Sequence, residues 1–213
     1  MKKIIYLLSL AALLWSCNNK PALDENDNVL CTCPPLTIWL TPFDDFSDAE
    51  TQLVQKDLLV YFKSTQNLNE AIEIAQRRKL TPDLMNDTKT RYRADKIVKY
   101  LQKDADEHNI YIGLTHKDIS LPYKQHADWG VQGLSLIPGD ACVVSTFRVK
   151  NRKQLWKTVL HEYIHTRYDY SHCPKQDPKC IMEDANGKPN FTNKWDLCEY
   201  CKSQTLAKDK VTL

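Results

Sequence analysis

His161-Glu162-Tyr163-Ile164-His165, followed by His172-Cys173, is the stretch on which the reading of this chain turns. On a helix, residues four apart share a face, so the imidazoles of His161 and His165 point the same way. Two imidazoles on one face can hold a zinc ion, and Glu162 beside them is a candidate general base. His172, about one loop further on, is a candidate third ligand. The motif has chemical meaning only on a helix, and the flanking residues predict one. Asn151 with Gln154 reads as a capping box that opens a helix over residues 152–166. Along it, Leu155, Val159 and Tyr163 form a stripe next to Trp156, Leu160 and Ile164. So broad an apolar surface predicts a helix buried in the centre of the fold.

Upstream, strand and helix patterns alternate. Leu36-Thr37-Ile38-Trp39-Leu40 is β-rich and alternating, and Thr41-Pro42 ends it. Ser47 with Glu50 makes a capping box, opening a helix with Leu53, Val54, Leu58, Val60 and Tyr61 on its apolar side. Residues 71–74 read as a short strand. Residues 91–102 read as a helix, with Ala94, Ile97, Val98 and Leu101 at helical spacing. Residues 110–115 and 141–146 read as strands. The stretch 121–133, with Pro122, Gly130 and Gly133, reads as irregular. A last helix is expected over 197–208. The alternation predicts an α/β (α+β) body with a small sheet.

The chain starts Met1-Lys2-Lys3, runs mostly apolar over residues 4–15 and reaches Ser16-Cys17. A basic start, a short apolar core and a small residue before the cut form a signal-peptide pattern. The apolar run is too short for a permanent membrane span. Cys17 directly after Leu14-Trp15-Ser16 resembles a bacterial lipobox, which implies cleavage before Cys17 and lipid on its thiol. Ordinary secretion is the alternative. Residues 18–30 are polar and aperiodic and read as a tether. The expected organisation is a signal peptide over 1–16, a lipidated Cys17 and tether over 17–33, and one domain over 34–213. Such a chain would sit at the bacterial cell envelope, on its periplasmic face or at the cell surface, held to the membrane through Cys17. Formal net charge is +2, and Lys2 and Lys3 leave with the signal, so the mature chain is near neutral and nothing points to nucleic acid. With 42% apolar residues the body is globular, and a monomer is expected.

Of the 8 cysteines, Cys31 and Cys33 lie near the tether, Cys142 stands alone, and Cys173, Cys180, Cys198 and Cys201 cluster towards the end. In an exported chain, disulfides are the ordinary expectation. Cys198-x-x-Cys201 opening a helix, with Cys173 and Cys180 upstream, also suits tetrahedral thiolate zinc. Either link would pin the last helix to the segment carrying His172.

His161-Glu162-Tyr163-Ile164-His165-Thr166, His172-Cys173, Cys180-Ile181-Met182 and Cys198-Glu199-Tyr200-Cys201 together resemble the archaemetzincins, a branch of the metzincin metallopeptidases. Residues 111–118 and 143–148 are weaker echoes of two of the family's strands. The resemblance covers residues 36–208. It implies a metzincin-like zincin fold, a small twisted mixed sheet packed with a central active-site helix and a C-terminal helix. It also implies a zinc peptidase acting on a peptide or protein substrate. His161, His165 and the third histidine would bind catalytic zinc. Glu162 would activate the water on it and pass the proton to the leaving amine. Met182 would be the Met-turn, an apolar floor. Cys173, Cys180, Cys198 and Cys201 would bind a second, structural zinc. The strand before the active-site helix, Ala141–Ser145, would line the cleft.

The sequence departs from the family pattern after the second histidine. The family has Gly three residues on and its third His three beyond that; here those positions hold Tyr168 and Ser171, and the His arrives one residue late. A longer, bulging loop is then expected to make the turn, with His172 as the ligand. The alternatives are Asp169, a site of two histidines only, or a later carboxylate, Glu183 or Glu199. Two histidines alone would make a catalytically weak or inactive zinc-binding module of the envelope. A later carboxylate would make a zincin of another family. The first cysteine knuckle encloses residues 174–179, two more than in the family. Elsewhere, His108, His116 and His126 read as surface or loop histidines and Asp118 as a solvated loop residue. Tyr168 and Tyr170 read as packing residues, and Arg77-Arg78-Lys79 as a solvated patch.

Overall fold

Alternating burial along its strands gives this protein a sheet with a hydrophobic core on each face. The computed structural model describes residues 22–23, 29–30 and 36–211, except 66–69, 107, 138, 150 and 185–190. The chain divides into two compact units, Met1–Cys33 and Pro34–Leu213. In the first, Ala22–Leu23 pairs antiparallel with Val29–Leu30. Residues 1–16, Cys17, Cys31 and Cys33 lie outside the described residues.

In chain order the larger unit contains β1 (Thr37–Pro42), α1 (Asp48–Thr65), β2 (Ala71–Ile74), β3 (Tyr92–Arg93), α2 (Ala94–Gln102), β4 (Asn109–Thr115), β5 (Ile119–Tyr123), β6 (His126–Val131), β7 (Gly133–Ser135), β8 (Ala141–Ser145), α3 (Leu155–Tyr168) and α4 (Glu199–Val211). The main sheet has the order β2-β1-β4-β8-β7. Its first four strands are parallel, with Trp39 paired to both Glu73 and Tyr111 and Cys142 paired to Ile112. The edge strand β7 is antiparallel, Val143 opposite Leu134. A second sheet has the order β3-β5-β6.

Period-2 alternation assigns the two cores. Cys142 and Val144 of β8 join Ile38, Leu40, Ile112 and Leu114 on the face covered by α1 and α3. Ala141 and Val143 join Phe43 and α2 residues Ala94, Ile97, Val98 and Leu101 on the other. Parallel strands buried on both faces need such near-continuous apolar runs. The small mixed sheet with a central helix, expected from the resemblance, is the architecture that forms.

The capping box at α1 forms as read: Ser47 Oγ accepts from Glu50 N at 3.2 Å and Glu50 Oε2 accepts from Ser47 N at 3.3 Å. The buried side of α1 differs from the expectation. It is Thr51, Val54, Leu58 and Phe62, while Leu53 and Val60 are exposed. Helix α2 starts at Ala94, not at residue 91, because Tyr92 and Arg93 pair with β5. Asn151 caps through Lys153 N, not as a box with Gln154, and a 3-10 turn (Arg152–Gln154) precedes α3.

Residues 121–133, read as irregular, form most of a β-hairpin and enter the edge strand. Pro122 sits where the register shifts between Leu121 and Tyr123, and bulges are where strands accept proline. Gly130 lies against the Arg148 guanidinium, where a Cβ would collide. Asp118 is not a solvated loop residue: Arg148 forks its carboxylate and Arg91 pairs with it at 2.8 Å. Arg77 and Arg78 are not a solvated patch either. Arg77 donates to the carbonyls of Phe43 and Phe46 and pairs with Asp48, and Arg78 pairs with Asp104 at 2.5 Å beside Tyr100 and Tyr111.

Asp118→Ala leaves two guanidinium groups without their carboxylate, and the expected loss is about 2 kcal/mol. Leu53→Ser, on the solvent side of α1, changes stability by less than about 0.5 kcal/mol. Urea denaturation followed by circular dichroism, with m-values compared, checks both.

Candidate metal centre

Helix α3 is enclosed on nearly every side. Val159, Leu160, Tyr163 and Ile164 join the core beneath the sheet, and His161, Glu162 and His165 are only 8%, 8% and 6% exposed. The two histidines, one turn apart, bring their Nε2 atoms to 3.0 Å. Their Nδ1 atoms face backbone carbonyls: that of His161 lies 2.8 Å from Ile181 O, and that of His165 is bonded to Tyr170 O. A carbonyl oxygen only accepts, so each ring carries its proton on Nδ1. Two Nε2 lone pairs then face each other with no proton between them. Burial, helped by the neighbouring rings, holds His161 well below the usual imidazole range, and burial pushes His165 down to about 4. Protonation therefore does not relieve this contact, whereas a cation would.

His172 completes the group. Its ring centroid lies 5.3 Å from that of His161 and 4.9 Å from that of His165. One ring nitrogen of each of the three histidines lies within 4.8 Å of the other two. The donors suit zinc, for which tetrahedral ligands at about 2.0–2.1 Å would stand roughly 3.4 Å apart. Among the alternatives, Asp169 is exposed and outside this group, Glu183 pairs with Lys194 at 2.6 Å, and Glu199 is exposed on α4.

The displaced histidine has a backbone explanation. Helix α3 runs to Tyr168, and the left-handed residue that ends it is Asp169, at φ 46° and ψ 46°. Asp is among the few residues besides Gly that tolerate this region. The added residue therefore lengthens the helix and does not bulge the loop, contrary to the expectation. From the turn onward, the three-residue step to His172 is kept.

Glu162 lies on a different side of α3. Ser135 Oγ sits 2.8 Å from Glu162 Oε2 and 2.8 Å from its backbone oxygen. Burial pushes the carboxyl up to about 7, against the lowering effect of the Ser135 bond. Gly133 faces the same carboxylate, and a Cβ there would collide with Oε1. Both residues belong to β7. The strand beside Glu162 is accordingly this edge strand and not Ala141–Ser145, which is fully buried in the sheet interior. Ser135 and Gly133 carried no sequence signal, since their partner is 27 or more positions away. The carbonyls of Ile181 and Tyr170 are invisible because a backbone oxygen carries no residue identity.

The four C-terminal cysteines converge. Cys173 and Cys198 have sulfurs 3.7 Å apart, as do Cys180 and Cys201, and all four lie within 4.8 Å of one another. A disulfide requires about 2.05 Å. Tetrahedral zinc, with bonds of about 2.3 Å, sets sulfurs roughly 3.8 Å apart. These thiols are free, and so is Cys142. Burial pushes Cys180 up to about 11, so a cation is what would deprotonate it. Met182 is fully buried in the tight turn that also holds Ile181, where Glu183 N bonds Cys180 O at 3.2 Å. His116 and His126 stay outside both groups: His116 stacks on Phe46 and pairs with Glu50 at 3.1 Å, and His126 packs on Trp129. Tyr168 packs edge-on against Tyr163, as read.

Two histidines one helical turn apart and a third after the helix thus lie beneath a sheet that ends in an antiparallel edge strand. The chain has the archaemetzincin fold. It superposes on archaemetzincin from Methanopyrus kandleri with a TM-score of 0.66 at 21% identity, covering 83% of this chain and 96% of that one. Archaemetzincin from Archaeoglobus fulgidus, solved in complex with malonate, gives 0.58 at 19% identity, over 79% of this chain and 99% of that one. Metalloproteinase-II from Bacteroides fragilis gives 0.55 at 11% identity, over 82% of this chain and 52% of that one. No protein-family model and no curated protein sequence matches the chain.

Asp169→Asn keeps the left-handed turn and changes stability little. Asp169→Val, whose branched side chain resists that conformation, lowers stability by about 1–2 kcal/mol. Thermal melts of the two variants separate these outcomes.

Proposed function

We propose that this protein is an exported zinc metallopeptidase of the archaemetzincin type. The observation that carries the reading is the pair of Nε2 lone pairs on His161 and His165, 3.0 Å apart, with His172 converging on them. Held by these three residues, zinc would supply a Lewis acid that polarises a peptide carbonyl and acidifies water. Glu162, the next residue on the helix, would take a proton from the attacking water and hand it to the leaving amine nitrogen. Ser135 would orient the Glu162 carboxylate through its 2.8 Å bond. The outer edge of β7 would accept an extended peptide as an added strand. Met182 would floor the site.

Cys173, Cys180, Cys198 and Cys201 would hold a second zinc with a structural role, a reading supported by the spacing of their sulfurs. Lipid on Cys17 would keep the enzyme at the bacterial cell envelope, acting on peptide or protein substrates there.

Glu162→Gln should keep its zinc and lose at least about 100-fold in kcat/KM for peptide cleavage. Zinc content by atomic emission, read beside cleavage of a peptide library, tests this. A zinc-loaded wild type that cleaves nothing in the library would make the chain a binding module instead. Cys17→Ser should move the protein from the membrane fraction to the soluble fraction of the envelope. A variant that stays with the membrane excludes the lipid anchor.

A further inference from the structure

Each histidine of the first cluster is held by a residue tied to a different cysteine of the second. His161 Nδ1 bonds the carbonyl of Ile181, which follows Cys180. His165 Nδ1 bonds the carbonyl of Tyr170, whose hydroxyl lies 3.5 Å from Cys201 Sγ. His172 directly precedes Cys173, whose N–H donates to Met182 O at 2.7 Å. Cys173, Cys180 and Cys201 are all buried, at 5%, 0% and 0% exposed. Residues 170–184 contain no helix and no strand beyond a single parallel bridge of Cys180 to Asp196, so these bonds hold most of the segment.

We propose that metal occupancy of the cysteine cluster sets the zinc affinity of the histidine cluster, and that Tyr170 is the positioning residue carrying this coupling to His165. The inference rests on reading both clusters as zinc centres. Tyr170 is the one described residue that bonds into both. A thiolate accepts a stronger hydrogen bond than a thiol, so a metal ion that deprotonates Cys201 tightens the hold on the Tyr170 hydroxyl. The same residue's carbonyl fixes the tautomer and direction of His165, and partners of that kind are worth about 10–100-fold in metal affinity. Linkage requires the effect to run both ways: zinc on the histidines must tighten the cysteine cluster by the same factor.

The experiment is a competitive zinc titration of the mature full-length protein against a chromophoric chelator. Cobalt substitution reports the cysteine cluster separately, through its thiolate charge-transfer band. Tyr170→Phe removes only the hydroxyl. It should still bind two metal ions and keep the thiolate band, while its histidine cluster binds zinc about 10-fold more weakly, the lower end for a lost supporting partner. Tyr200→Phe, an exposed tyrosine on α4, should bind like wild type. Cys201→Ser should diminish the thiolate band and weaken the histidine cluster at least as much as Tyr170→Phe does. Equal histidine-cluster affinities in wild type and Tyr170→Phe overturn the coupling, whatever the change in melting temperature. A wild-type protein whose histidines bind no zinc at all overturns the peptidase reading itself, a distinguishable result.

Discussion

Two backbone carbonyls decide the character of this site. Ile181 O and Tyr170 O take the Nδ1 protons of His161 and His165, which leaves two Nε2 lone pairs 3.0 Å apart in a buried setting. Like electrostatics at that distance is unfavourable without a cation, and it would relax if either ring could rotate. Neither can, because one helix fixes their spacing and the carbonyls fix their direction. The organisation of residues 169–184 follows from the need to keep those carbonyls in place. Asp169 turns the chain sharply out of α3, Cys173 N anchors on Met182 O, and Lys194 bonds Cys180 O and Glu183 at both ends of the next turn.

The helix that bears the motif shows how a polar site is placed in an apolar core. Its tilt and depth come from Val159, Leu160, Tyr163 and Ile164 packing under the sheet. The polar residues of the site are each answered: Glu162 by Ser135, His161 and His165 by carbonyls, Thr166 by the Glu162 carbonyl at 3.0 Å, while Thr158 Oγ1 on the same helix is buried without a partner. A site built this way keeps its geometry without reorganising when a ligand arrives. The edge strand β7 serves both needs, because Gly133 leaves room for the carboxylate and Ser135 binds it.

Much of the fold was legible in the sequence. Four strands of the main sheet and the helices were read from alternation and helical spacing, since those periods report directly which side of an element is buried. The errors share a cause. Pro122 and the glycines of 121–133 suggested an irregular segment, yet tertiary pairing turns the proline into a bulge and the glycines into sites of close approach by Arg148 and Glu162. Asp118, Arg77 and Arg78 looked solvated because their partners are distant in sequence. Leu53 and Val60 looked like core residues because α1 has apolar residues all round, and only packing selects the stripe of Val54, Leu58 and Phe62.

The sequence alone determined the candidate metal-binding face. His161 and His165 follow from four-residue spacing on a helix, and that geometry is local to one element. The candidate role of His172 and the grouping of four cysteines could be read from spacing and resemblance. Whether those residues meet was not readable, because the outcome depends on where a turn falls. Only the tertiary structure placed that turn at Asp169, one residue late, and so let His172 reach the other two histidines. Only the tertiary structure chose free thiols at 3.7 Å over disulfides, and set β7 rather than β8 beside Glu162. The physical reason is the same throughout: helical periodicity is set by neighbours in sequence, while hydrogen-bond partners and sulfur distances are set by neighbours in space.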